Sequence, residues 1–189
     1  MQSAAMVNYM LVQRWSRVVI LYEDDEYGSG LHNSFIVLAK SHGIKVIASF
    51  AVSVDVKDQD QDADALIARV QDLDDPRIFL FLGTINRIYS VLKAASKSNL
   101  YGPGKVWMAS EASSQIQATF ADAESRSLFT GLIVFLPMEG EGVANQKFKK
   151  LWQDKRLSTA FPFANRTSPD APGTYSYFAA SCLELLIKG

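Results

Sequence analysis

Apolar residues along this chain alternate between two spacings. Residues 2–13 carry a helical pattern. The run Arg17–Glu23 (RVVILYE) is short and rich in Val and Ile, which predicts a strand buried on both faces. Leu31, Phe35 and Leu38 then recur at i, i+4 and i+7, the stripe of an amphipathic helix that stops near His42 and Gly43. Residues 44–52 return to strand character. Leu66, Val70 and Leu73 mark a second helix, closed by Asp74, Asp75 and Pro76. Residues 77–83 (RIFLFLG) predict another buried strand; Ile85, Ile88, Leu92 and Ala95 share the next helical face, and a Gly-Pro-Gly turn leads into a strand at 105–109. Apolar strands separated by helices call for a parallel sheet covered on two faces, so the predicted class is α/β.

After Phe129 the rhythm changes. One more strand is predicted at 130–136, then a glycine-rich turn, a helix carrying Phe148, Leu151 and Trp152, a polar loop to Pro172, and a last helix over 174–188. That last helix holds Tyr175, Phe178, Ala179, Cys182, Leu183, Leu185 and Leu186, more apolar surface than one neighbouring strand covers. It needs a further partner.

Composition narrows the function classes. The 189 residues are 48% hydrophobic and 21% charged, ordinary for a globular domain, and 19 basic against 20 acidic residues leave a net charge of −1. Without a basic patch, nothing draws the chain to nucleic acid. No run approaches the roughly 18 apolar residues of a membrane span, and Met1 is not followed by a signal-peptide pattern. The single Cys182 has no partner for an internal disulfide and suits a small core residue. Asp58, Asp60, Asp62 and Asp64 alternate as in a calcium loop, but Ala63 replaces the required glycine and Arg69 the required acid, so these acids are expected to serve a helix N-terminus. No nucleophile elbow, phosphate loop or metal-spaced Cys/His cluster occurs, and the two histidines, His32 and His42, suit exposed or half-exposed helix positions. Neither an enzyme nor a cofactor is expected.

In an open parallel sheet, ligands meet the loops beyond the carboxyl ends of the strands. Three such ends carry suggestive groups. Tyr27 follows the acidic turn of YEDDEYGSG and either faces a ligand with its ring and hydroxyl or anchors the loop. Thr84, after Gly83, either faces the same edge or caps the next helix. Glu111, in WMASEAS, either pairs with a ligand ammonium or caps the turn.

At these strand ends the sequence resembles a known family. The stretch QSAAMVNYMLVQRWSRVVILYEDDEYG, with Gly43, the acidic helix 64–73, RIFLFLG, KVWMASEA and Thr130-Gly131, is similar to the ligand-binding region shared by class C receptors, natriuretic-peptide receptors, the amino-terminal domains of ionotropic glutamate receptors and bacterial branched-chain amino-acid-binding proteins. The resemblance implies a type I periplasmic-binding-protein clamshell with Rossmann-like lobes. Residues 1–136 would form most of the second lobe, and 137–189 the crossover, the polar loop and a helix returning to a first lobe that is otherwise missing. It implies a small-molecule ligand such as an amino acid, with Tyr27 packing on it, Glu111 taking its ammonium and Thr84 facing the cleft.

The resemblance further implies an extracellular position on a membrane receptor, or a periplasmic one, signalling by cleft closure, and a dimer in the parent protein. The Asn165-Arg166-Thr167 sequon fits a secreted ectodomain. A bacterial transport protein, or the effector domain of a transcription regulator, would share the same clamshell. A nucleotide-binding enzyme would instead need a phosphate loop after the first strand, where the acids of EDDE repel phosphate. With half a site present, the chain alone is expected to bind its ligand weakly.

Overall fold

The computed structural model describes residues 2–54, 57–114 and 116–136, with residues 146, 147 and 150. Backbone contacts divide the chain into two compact units, Met1–Leu136 and Pro137–Gly189. The expectations for Phe148 to Trp152, the sequon, the final helix and Cys182 lie outside the described residues. The first unit holds the sheet and its helices.

Helix α1 (Gln2–Val12) precedes β1 (Arg17–Glu23); then come α2 (Glu26–Ser41), β2 (Lys45–Val52), α3 (Gln59–Gln71), β3 (Ile78–Leu82), α4 (Ile85–Ser96) and β4 (Val106–Ala109). A 3₁₀ turn (Glu111–Ser113), the short helices α5 (Ile116–Thr119) and α6 (Ala123–Ser127), and β5 (Ile133–Val134) complete the unit. The strands form one sheet in the order β2-β1-β3-β4-β5, and every pairing is parallel. This is the doubly wound α/β arrangement that the strand pattern predicts.

Side-chain alternation sorts the core into two layers. Val18, Ile20, Leu80, Leu82 and Met108 point to the face covered by α1 and α2, where Met6, Met10, Phe35 and Ala39 meet them. Val19, Leu21, Phe79, Phe81, Trp107 and Ala109 point to the face covered by α3 and α4, against Leu66, Val70, Ile88 and Leu92. Val18 through Leu21 are all fully buried, as a strand covered on both sides must be. Trp107 stacks on Phe79 at 4.5 Å and places its indole N–H on the Leu100 carbonyl at 2.9 Å, so its one polar atom is satisfied inside the core.

Helix ends follow local chemistry. Helix α2 closes on Gly43 at φ 72°, with the Ile44 N–H returning to the Ala39 carbonyl and the Gly43 N–H to Lys40. Helix α1 closes the same way on Arg14 at φ 59°, with Trp15 N–H on the Met10 carbonyl and Arg14 N–H on Leu11. The alternating acids also find roles. Asp58 caps α3, its carboxylate accepting the N–H groups of Asp60 and Gln61 at 3.1 and 3.0 Å, while Asp62 pairs with Arg87 of α4 at 2.6 Å and Asp64 with Lys97, the C-cap of α4, at 3.1 Å. Among the described residues no cluster of acids, His or Cys is placed to hold a metal ion. Replacing Asp58 by Ala is expected to cost about 1 kcal/mol in urea denaturation, the typical value of an N-cap.

One local expectation needs correction. The late strand is two residues long, because Thr130 and Gly131 lie in a turn, Gly131 at φ 85°, and the Leu132 N–H is held by the Phe129 carbonyl. Between β4 and β5 the chain folds into a 3₁₀ turn and two helices of four and five residues, too short to show a period in sequence.

Candidate ligand-binding face

The strand order places the switch point between β1 and β3, where connections leave for opposite faces of the sheet. The loop after β1 is Asp24-Asp25, the loop after β3 is Gly83-Thr84, and the residues after β4 are Ser110 and Glu111. All three open on the carboxyl edge.

The acidic turn after β1 is largely consumed by structure. Glu23 is 1% exposed, and its carboxylate accepts the Thr84 N–H at 3.0 Å and the Thr84 hydroxyl at 2.7 Å. Asp24 accepts the N–H of Val54 at 3.1 Å. Asp25 caps α2 by accepting the Gly28 N–H at 2.7 Å.

The residues after β4 are fixed from below. The hydroxyls of Ser110 and Ser113, both fully buried, donate to the Gly83 carbonyl at 3.3 and 3.0 Å, and the Ser110 N–H continues the ladder to Phe81. This ties the β4 end to the β3 end and leaves Glu111 half-buried at the rim. The Gln2 side-chain amide donates to the Glu111 carboxylate and also to the Phe135 carbonyl at 2.9 Å, so α1 steadies both.

Tyr27 and Glu111 are brought together. The half-buried ring of Tyr27, in the first turn of α2, carries its hydroxyl out of solvent beside Ser110, Glu111 and Ala112, without a hydrogen bond of good geometry. Burial is the main cause that pushes its phenol above the ordinary tyrosine range; Ser110 opposes the shift and the Glu111 carboxylate adds to it. Since the folded phenol holds its proton more tightly than the unfolded one, stability should fall as pH rises above about 10. Tyr27→Phe is expected to lose that part of the alkaline decline, measured by thermal denaturation across pH, and Tyr27 should be missing from the phenolate absorbance that appears near pH 10.

Thr84 is exposed at the N-cap of α4. Its hydroxyl proton goes to Glu23, so toward a ligand it offers oxygen lone pairs. His32 stacks on Tyr22 at 4.1 Å, and burial lowers its pKa from the usual histidine value; His42 is exposed, with Nδ1 2.9 Å from the Leu38 carbonyl oxygen. Neither belongs to the Tyr27 and Glu111 cluster. Gln2 and Glu23 are the residues that the strand-end reasoning misses: Gln2 gives no signal beyond opening a helix, and Glu23 reads as one acid among four.

A cavity of about 250 Å³ lined by Leu92, Tyr101, Lys105, Trp107, Leu128 and Leu132 lies at the amino-terminal ends of β4 and β5, away from this cluster. No helix among the described residues is long and apolar enough to cross a membrane. A search of curated proteins returns no match. The model of the receptor family ligand binding region, in contrast, matches residues 1–181, a span that includes the whole sheet and all three of the strand ends just described, and the chain therefore belongs to that family.

Proposed function

We propose that this chain supplies one lobe of an extracellular clamshell that binds an amino acid or a similar small zwitterion without catalysing a reaction. The observation that carries this reading is the meeting of Tyr27 and Glu111 at the carboxyl edge of the sheet, one from the first turn of α2 and the other from the 3₁₀ turn after β4. Glu111 offers a carboxylate to a ligand ammonium, and the flank of Tyr27 offers an aromatic surface beside it. Glu23, Asp24 and Asp25 accept hydrogen bonds from Thr84, Val54 and Gly28, while the Glu111 carboxylate, steadied by the Gln2 amide, stands at the rim after the two anchored serines.

In this reading the ligand's other end meets a second lobe. Closure is then driven by the difference in ligand affinity between the closed and open forms. A receptor ectodomain that dimerises and signals by closure is the proposed setting, with a periplasmic transport protein as the same binding device in another context.

The test is a thermal-shift and calorimetric panel of L-amino acids and their amides or deaminated analogues. A ligand with an ammonium should bind, and Glu111→Ala should weaken it at least tenfold, the scale of about 1.5–3 kcal/mol for a charge-assisted hydrogen bond. Glu111→Asp should recover part of the affinity. An amino acid that binds Glu111→Ala as well as the wild type would remove Glu111 from the site.

A further inference from the structure

The amino end of α4 sits at the switch point, where this sheet architecture offers free N–H groups and a positive dipole end to anions. In this chain the N-cap residue at that end, Thr84, already meets an anion. Thr84 is the N-cap of the 12-residue helix, yet its side chain makes no capping bond, and the first turn of α4 contains no acid. The anion comes from another strand: Glu23, at the end of β1, accepts both the Thr84 N–H and the Thr84 hydroxyl while 1% exposed.

Two glycines make room for it. A Cβ at Gly83 would lie 2.8 Å from both Cγ and Cδ of Glu23, so the side chain fills the space that a residue there would need. A Cβ at Gly28 would meet the Glu23 backbone N at 2.9 Å and its carbonyl oxygen closer still. The strand end, the α2 start and the α4 start thus close around one buried carboxylate.

We propose that Glu23 is a built-in anion that fills the anion niche of the switch point, and that this unit consequently meets its ligand only through neutral or cationic groups. The filled niche stands on the geometry alone, while the consequence for the ligand rests on the binding reading of the Tyr27 and Glu111 face. A phosphate or carboxylate that approached Thr84 would find its N–H and hydroxyl taken and the Glu23 carboxylate behind them.

Chemical rescue tests it on the full 189-residue chain. Glu23→Ala should lower Tm, and acetate or inorganic phosphate should restore about 5 °C of it, saturably and beyond chloride at matched ionic strength. The wild type should show no such anion-specific gain, and Thr84→Val added to Glu23→Ala should abolish it. Glu23→Gln, which keeps the shape without the charge, should be less stable than the wild type and unresponsive to both anions. Absence of rescue in Glu23→Ala, or a Glu23→Gln protein as stable as the wild type, overturns the proposal. If Glu23→Ala does not fold, the Glu23→Gln comparison decides. An amino-acid panel with no binder would count against the ligand reading and leave the rescue result standing.

Discussion

Replacing Gly28 by Ala should destabilise the protein by about 3 kcal/mol or more, at the upper end of overpacking costs, although alanine is the better helix former. Gly28 is in the first turn of α2, and the added methyl would collide with the Glu23 backbone, which cannot rotate away as a side chain could. Relief would need β1 and α2 to part, which would loosen the Asp25 cap and disturb the seat of Tyr27. Gly30 is the control two residues on. A Cβ there meets nothing within 4 Å, so Gly30→Ala should stabilise by about 0.5–1 kcal/mol. Urea denaturation of the two variants separates helix propensity from packing: equal effects would mean that the contact with Glu23 is not tight.

The second large effect is expected at Phe81. Its side chain is fully buried on β3, the middle strand of the sheet, in the layer that joins Leu21 to Ile88 and Ala109. Phe81→Ala should cost about 3–5 kcal/mol, the lost transfer energy plus a cavity that the rigid central strand cannot close. A loss under about 1 kcal/mol in the denaturation midpoint would show that this layer repacks freely. Because Phe81 also carries the ladder to Ser110, the variant should weaken the support beneath Glu111 as well.

The fold was legible where burial on both faces left no ambiguity. RVVILYE and RIFLFLG can only be central strands, and the period of Leu31, Phe35 and Leu38 sets the buried face of α2. Legibility failed where backbone geometry decided the outcome. Arg14 takes the left-handed turn for which a glycine would have been the signal, and α5 and α6 are too short to carry a period. Gly131 turns the chain within the span that looked like strand.

The site was half legible for a similar reason. Tyr27 and Glu111 stand out at strand ends, and the family resemblance gives each a role, but their meeting depends on the strand order, which puts β1 and β4 on either side of β3. Glu23 was illegible because nothing in EDDE distinguishes the one buried acid from its neighbours. The parity of β1 is the physical cause: Glu23 falls on the layer of Val19 and Leu21, which faces the α4 side. Gln2 becomes visible only when α1 is laid across the end of β5.

The most direct test of the proposed ligand-binding face is an amide chemical-shift titration of the ¹⁵N-labelled chain with the amino acids of the panel. The account predicts saturable shifts clustered at Tyr27, Thr84, Ser110 and Glu111, and their loss in Glu111→Ala. Shifts centred on the cavity beside Trp107, or a titration that Glu111→Ala leaves unchanged, would contradict it.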